Sequence, residues 1–461
     1  MLYGPLLMFA TKTANLESLY HTVASGLLCN LCADNEKIVK ELLRKSFLKE
    51  LLKLPFHPKA DHETFSKCLH ILTYHEFMLR EFARKENLEK ILNCFEVGKG
   101  SSLYTELNHL LNLIIHNESL LNIINDEFGI SALISFGEDY AACDKRRRTF
   151  MLAASLLSLD CFINSSYLEE NRNVVQLLKG WCWDEDSEVR CAGALALGNL
   201  ARSDHNAYLL AEDGVISLLT SMLTSNYVKE QHSILSALRN LAIPEKNKSA
   251  VVKAGTLELI GKYLADSAFP AVLQLSISII KSLCLYAPTC KEVLKKPQIL
   301  STLEKWAKHD DEEIKSESIR IFSFIMRTSL SESAYNELKK YGAVALVIEL
   351  LNSRFEVLKN DALLALQAVA RYDDSILVDS MNLDKYIWEI VKGTKCDEMR
   401  SNAFSLALVI LSQRDPRASA NEYTEWKLCA EKYVKSTHKG LRSSVTVLLQ
   451  LISLKVSSLT Q

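Results

Sequence analysis

The sequence has few of the residues that form turns. Its 461 residues include 15 Gly and 8 Pro, together about 5%, against roughly 12% in an average globular protein. Sandwiches, barrels and Rossmann sheets need many turns built from these two residues, so the composition argues against all three. With 48% hydrophobic and 24% charged residues, disorder is also excluded as the dominant state. We therefore expect long helices.

Other features are equally sparse. The net charge is only −2, so no basic excess points to nucleic acid. Twelve cysteines are too few for a disulfide framework. The opening MLYGPLLMFA lacks the basic region of a signal peptide, and no stretch is long and apolar enough to span a membrane. We expect a reduced, soluble, cytoplasmic protein, with the nucleus and organelle surfaces left open as further locations.

An internal repeat organises the chain. The segments that start at Ala192 and Ser233 align, with Asn199 and Asn240 41 residues apart and Gly214 and Gly255 also 41 apart. Steps of 40 to 46 residues extend this register to similar segments centred near Asn30, Leu72, Asn112, Ser158, Ser282, Phe324, Ala368, Ile410 and Gln450. A constant period of this length indicates a helical solenoid.

Each repeat is predicted to contain three helices. In one of them these are Asn206–Ala211, Val215–Leu223 and Glu230–Ile243, with Gly214 as the left-handed residue that ends the first. Two short helices and a long one are typical of armadillo repeats, so we predict an all-α armadillo-repeat superhelical solenoid. It would be a single body over residues 1–461 with about 10–11 repeats. Residues 1–20 would be a partial N-terminal cap, 180–265 the most regular repeats and 430–461 the C-terminal cap.

Polar residues recur on one face of the third helices. Steps of four residues along each helix place these candidate partner-binding residues on that face: Asn199, Arg202, His232, Ser236, Asn240, Gln274 and Ser278. An Asn carboxamide can donate to and accept from an extended peptide backbone, so a ladder of them can clamp a peptide. The alternative is that each Asn bonds a neighbouring helix terminus or water. We call the positions equivalent to Asn199 and Asn240 in each repeat the ladder positions. From Phe324 onward these positions are apolar, and no polar clamp is expected there.

Two acidic runs lie where third helices are expected to start. The first contains Asp184, Glu185, Asp186 and Glu188, and the second begins with Asp310 and Asp311, 126 residues after Asp184. Carboxylates are favoured at helix N-termini; alternatively, both runs form an acidic rim that attracts a basic partner segment. The basic run from Lys145 to Arg148 is either a localisation or phosphate-contact motif or a solvated face.

No motif for covalent chemistry is complete. The Gly98–Ser102 stretch lacks the glycine that a phosphate loop needs six residues before Lys99, and His75-Glu76 lacks the second His of a zinc protease. Cys29 and Cys32 have no partner pair and are expected to pack in the core. We predict no catalytic residue, no metal site and no cofactor.

The most regular repeats resemble a known family. The run LSALRNLAIP (Leu235–Pro244), followed by Asn247-Lys248 and Ala254-Gly255, and the run AGALALGNLARSDHN from Ala192 are similar to the small-GTPase GDP-dissociation stimulators (smg GDS). The resemblance is close over residues 180–265 and looser over most of the chain. It implies an armadillo protein in which Asn199 and Asn240, with Arg202 and Arg239 beside them, lie on the GTPase-binding face.

The resemblance also implies a function. Members of the family are guanine-nucleotide exchange factors and chaperones that hold the polybasic, prenylated tail of Rho- and Rap-type GTPases and disturb the nucleotide site. We therefore expect a monomeric GTPase regulator without covalent catalysis. It would reach membranes only through its GTPase. The alternative is an armadillo peptide-binding adaptor without exchange activity. Its import-receptor version needs Trp at the positions of Leu195 and Ser236.

Overall fold

The chain is helical throughout its described part. The structure, a computed structural model, describes residues 30, 32–33, 35–44, 47–56, 62–139, 143–164, 166–266, 269–370, 372, 383–413 and 420–457. All regular elements in these ranges are helices, which confirms the predicted all-α class. Contacts divide the chain into an N-terminal unit, Met1–Leu241, and a C-terminal unit, Ala242–Gln461.

The N-terminal unit contains the α-helices α1 to α16 and a 3-10 turn at Leu54–Phe56. The helices are, in order, Glu36–Arg44, Phe47–Leu51, His62–Thr73, Glu76–Ala83, Lys85–Val97, Ser102–Ile115, Glu118–Glu127, Ile130–Glu138, Asp144–Leu156, Asp160–Ile163, Tyr167–Glu170, Arg172–Cys182, Ser187–Leu200, Asp204–Glu212, Val215–Met222 and Val228–Leu241.

The C-terminal unit contains α17 to α29 and a 3-10 turn at Leu350–Asn352. The helices are, in order, Glu245–Lys253, Thr256–Asp266, Pro270–Cys284, Ala287–Leu294, Pro297–Trp306, Glu312–Ser329, Glu332–Lys339, Ala343–Glu349, Glu356–Val369, Leu383–Gly393, Asp397–Gln413, Ala420–Glu431 and Lys439–Ser457.

The predicted repeat is present in both units. Helices α14, α15 and α16 are the expected short, short and long elements, and α17, α18 and α19 repeat the pattern. The long third helices α13, α16, α19 and α22 begin at residues 187, 228, 270 and 312, which confirms the armadillo-type register. The single solenoid of 10–11 repeats stays a prediction. Its N-terminal cap at 1–20 lies outside the described residues, and α29 falls within the C-terminal cap at 430–461.

Glycines mark the bends within repeats, as the sequence predicts. Gly214 and Gly255 have φ angles of 77° and 82°, in the left-handed region that side chains with a Cβ rarely adopt. The same bend recurs at Gly342, with φ 61°. Each residue lies between the first and second helix of its repeat, so the few glycines of this chain set the path of the backbone.

Close packing of third helices holds the N-terminal unit together. Leu235 and Leu238 on α16 are fully buried, and Gly198 on α13 lies directly against Ala237 on α16. A Cβ at Gly198 would come within 2.9 Å of the Ala237 Cα, so only glycine permits this approach. Within the described ranges, none of the helices combines the length and apolar character that a membrane-spanning helix requires.

The tight contact at Gly198 predicts a specific loss of stability. Gly198→Ala should lower the free energy of unfolding by about 1–3 kcal/mol, because the added methyl overpacks the contact between α13 and α16. Gly180→Ala is the matched control, since a Cβ there meets nothing within 4 Å and alanine favours the helix by up to about 1 kcal/mol. Urea unfolding measures both, and equal effects of the two substitutions would contradict the packing account.

Candidate partner-binding face

The two ladder asparagines connect neighbouring repeats. Asn199 Nδ2 donates to the carbonyl of Ala154 on α9, and Asn240 Nδ2 donates to the carbonyl of Gly198 on α13, each over 2.9 Å. Both acceptors lie among the last four carbonyls of their helix, which have no partner within the helix. The carboxamides therefore satisfy helix ends, as the alternative interpretation of the sequence proposed.

The C-terminal unit repeats this contact with a shorter side chain. Ser282, at the equivalent position of α19, donates its Oγ hydrogen to the carbonyl of Ala242 over 2.7 Å. The ladder position thus has a structural role in both units. Contact of Asn199 and Asn240 with a partner stays a prediction, and both side chains are half-buried rather than covered.

Several other predicted partner-binding residues near the ladder asparagines have exposed or half-buried side chains. Arg202, His232 and Arg239 are exposed, and Ser236 is half-buried. Arg239 donates to Asn240 Oδ1 over 3.0 Å, and Arg202 donates to the carbonyl of Ser158 over 3.2 Å. In the N-terminal unit, His232, Ser236 and Arg239 therefore lie on α16, and Arg202 lies two residues beyond the end of α13.

The first acidic run is paired within the protein. Arg146 binds both carboxylate oxygens of Asp184, over 3.2 and 2.6 Å, and this hydrogen bonding holds the pKa of Asp184 below its usual value. Arg147 binds Asp186 over 2.6 Å. The other oxygen of Asp186 accepts from the Glu188 amide and caps α13. Glu185 is the exposed member of the run.

The basic run is correspondingly not a solvated face. Lys145 is only 1% exposed, and its ammonium lies over the ring of Phe136, 4.2 Å from the centroid. Since Arg146 and Arg147 bind the acidic run of the next repeat, the two runs neutralise each other across the boundary between repeats.

Single charges extend this network beyond the two runs. Glu188 accepts from the Tyr227 hydroxyl over 2.5 Å, and Arg190 binds Glu230 through two contacts of 2.8 and 2.9 Å. Glu230 is only 2% exposed, so this ion pair is largely buried on its acidic side. Sequence reasoning missed this pair, whose only indication is a separation of about one repeat.

The second acidic run is open to solvent. Asp310, Asp311, Glu312 and Glu313 are all exposed. Asp311 caps α22 by accepting from the amides of Glu313 and Ile314 over 2.9 and 3.0 Å, which supports the helix-terminus interpretation.

Two further predicted residues lie on α19 in the C-terminal unit, and one of them contacts this run. Gln274 donates to Glu313 over 3.3 Å, and Ser278 is half-buried one turn further along α19.

The surroundings of Phe324 are more polar than the ladder positions indicate. Phe324 is buried, as expected, but the guanidinium carbons of Arg320 and Arg327 lie 5.3 and 5.7 Å from its ring centroid. Both arginines bind Asp361 on α25, over 2.6 and 2.7 Å. The sequence prediction rested on the ladder positions Phe324, Ala368 and Ile410 alone and so missed these charges.

Comparison with known proteins identifies the sequence relatives. Rap1 GTPase-GDP dissociation stimulators 1-A and 1-B of Xenopus laevis are each 23% identical over 363 residues, which cover 76% of this chain and 60% of the relative. The GTPase-GDP dissociation stimulator vimar of Drosophila melanogaster is 29% identical over 226 residues, 40% of this chain and 35% of vimar. These three relatives are all named as GTPase-GDP dissociation stimulators.

The similarity to these stimulators is partial in length. The chain spans about 60% of the Xenopus stimulators it matches, and no protein-family model matches it. Among solved structures, the crystal structure of an engineered protein aligns with a TM-score of 0.62 at 18% identity, covering 97% of this chain and 98% of the other. That likeness concerns the fold alone.

The pairing of Asp184 with Arg146 predicts a coupling that depends on pH. A double-mutant cycle with Asp184→Asn and Arg146→Gln should give a coupling energy of about 1 kcal/mol near neutral pH. Because the folded-state pKa of Asp184 is lowered, its contribution is present above the unfolded carboxyl pKa of about 3.9 and is lost as the pH falls through the folded value.

The measurement is urea unfolding of the four proteins across this pH range. Glu185→Gln, which changes the exposed neighbour in the same run, is the control and should alter the free energy of unfolding by less than about 0.5 kcal/mol. A coupling energy near zero, or one that grows on acidification, would refute the pairing.

Proposed function

We propose that this chain binds small GTPases of the Rho and Rap type and stimulates the release of GDP. The observation that carries the proposal is the similarity to stimulators named for Rap1 over 76% of the chain. The segment whose sequence most resembles the family, residues 180–265, contains Asn199, Arg202, Arg239 and Asn240. Their exposed or half-buried side chains on neighbouring third helices support a contact with the GTPase there.

Such a regulator needs no catalytic acid or base. It accelerates GDP release by binding the nucleotide-free or distorted GTPase more tightly than the GDP-bound form, because a ligand shifts an equilibrium by its difference in affinity for the two states. Each factor of ten in that difference corresponds to about 1.4 kcal/mol. Packed helical repeats suit this role, since their third helices present a fixed surface to the partner.

The exposed acidic run of the C-terminal unit is the proposed contact for a polybasic, prenylated tail. Its carboxylates are open to solvent, whereas Asp184 and Asp186 are already bound by Arg146 and Arg147. An exposed cluster of one sign attracts a segment of the opposite sign and raises its association rate.

The exchange proposal predicts that the ladder asparagines affect GDP release. Wild-type chain should accelerate the loss of fluorescent GDP from a Rho- or Rap-type GTPase, and Asn199→Ala/Asn240→Ala should reduce this stimulation about tenfold, by removing one hydrogen bond of about 0.5–1.5 kcal/mol at each site.

Ser282→Ala is the matched control for structural loss. It removes an inter-repeat hydrogen bond of the same kind without changing either asparagine, and it should preserve stimulation. GTPase binding by the wild-type chain without faster GDP release would indicate an adaptor. The absence of both GTPase binding and stimulated GDP release would contradict the proposal.

The tail proposal predicts an effect of the second acidic run. Asp310→Asn/Glu312→Gln should weaken the binding of a polybasic GTPase tail peptide by about threefold to tenfold, because two exposed charges are removed. Added salt should weaken wild-type binding in the same direction. Glu332→Gln/Glu389→Gln neutralises two other exposed carboxylates of this unit and should leave affinity unchanged in fluorescence anisotropy. Equal losses from both double variants would contradict the proposed location.

A further inference from the structure

Exposed cations dominate one end of the ladder in the N-terminal unit. Arg202 lies two residues beyond the end of α13, and Arg239 lies in the last turn of α16, which packs beside it. Both side chains are exposed. Arg202 donates a hydrogen bond to the carbonyl of Ser158, and Arg239 donates one to Asn240 Oδ1. Among the described residues, neither guanidinium has a carboxylate within ion-pair distance.

The carboxylates of the same third helices are bound elsewhere. Asp186 is held by Arg147 and caps α13, and Glu230 is buried in its contact with Arg190. Glu188 is engaged by Tyr227 and Lys229. All three lie in the first turn of α13 or α16, or at its N-cap. At the opposite ends of these helices, where the asparagines lie, the two guanidinium groups therefore have no ion pair among the described residues.

The polar atoms at this end are mainly hydrogen-bond donors. Each Asn carboxamide has two N–H groups, of which one binds the preceding repeat. Asn240 Oδ1 already accepts from Arg239. Beyond these bonds, each carboxamide keeps one N–H, each guanidinium keeps most of its five N–H donors, and Asn199 Oδ1 remains as an acceptor. Donors of this kind select carboxylates and backbone carbonyls.

The spacing of the two helices suits an extended chain. Packed helices lie about 8–10 Å apart, and an extended peptide in the polyproline II conformation advances about 3.1 Å per residue, with every third side chain on the same face. About three residues of a bound strand therefore pass from one ladder asparagine to the next. A carboxylate at every third residue would meet the arginines, while carbonyls between them would meet the carboxamides.

We infer that Arg202, Arg239, Asn199 and Asn240 form a site for an extended acidic segment of the GTPase. The inference rests on the proposed function for the source of the segment and adds its chemistry. A polybasic segment does not fit here, because its charges would face those of both arginines. This site is therefore opposite in charge to the exposed carboxylates at residues 310–313 in the other unit.

The test measures peptide binding to the full chain directly. Three fluorescein-labelled peptides share a Gly-Ser background and carry Asp, Lys or Ser at every third residue. Fluorescence anisotropy should show the Asp peptide binding at least about tenfold more tightly than the other two. Arg202→Glu/Arg239→Glu should abolish that preference, and the milder Arg202→Gln/Arg239→Gln should reduce it severalfold.

Two controls isolate the site. Lys40→Glu/Arg80→Glu makes the same charge change at two exposed positions of the N-terminal unit and should retain the preference for the Asp peptide. Thermal unfolding identifies any variant that fails to fold, and the neutral pair Arg202→Gln/Arg239→Gln then carries the test.

Several outcomes would overturn the inference. The first is tighter binding of the Lys peptide, and the second is an Asp preference that survives both arginine variants. The third is binding of single-stranded oligouridylate that is as tight as that of the Asp peptide and equally weakened by the arginine substitutions, which would indicate a general polyanion site. Stimulated GDP release without an Asp preference refutes this inference alone. An Asp preference without stimulated GDP release refutes the proposed function instead.

Discussion

The hydrogen bond between a third-helix side chain and the last turn of the preceding third helix is the contact on which the rest of the structure depends. The amides of Ala201 and Arg202 bind the carbonyls of Leu197 and Asn199, and the carbonyl of Gly198 receives Asn240 instead. A helix end packed between repeats needs such a partner. The same bond fixes the orientation of each half-buried carboxamide and uses only one of its two N–H groups.

Charge pairing across repeats decides which charges remain for a partner. The runs at Lys145–Arg148 and Asp184–Glu188 neutralise each other, largely through pairs that are shielded from solvent. Because these carboxylates are bound, the N-terminal unit keeps its exposed cations at the other end of α13 and α16. The C-terminal unit shows the reverse, since its run at residues 310–313 is exposed and only partly used for capping. Composition alone, with a net charge of −2, conceals this separation.

The sequence predicts the repeat well and its cross-contacts poorly. Period, three-helix pattern and the bends at Gly214 and Gly255 follow from local physics, because glycine alone tolerates the required backbone. The Arg146–Asp184 pair was missed although the two runs begin 39 residues apart, close to one repeat. Arg190 and Glu230 had no comparable indication, since isolated charges at repeat spacing are common. The sequence predicts the ladder positions. It does not predict the hydrogen bonds from Asn199 and Asn240 to carbonyls, because these bonds depend on how closely neighbouring helices pack.

The claim that the C-terminal ends of α13 and α16 contact the GTPase is tested most directly by hydrogen–deuterium exchange. The full chain is compared with and without a nucleotide-free Rap- or Rho-type GTPase. Slower exchange of peptides spanning Ala192–Ser203 and Ser233–Leu241, with unchanged exchange over Glu118–Glu138, is the result that the account predicts. Protection confined to segments outside α13 and α16 would contradict it.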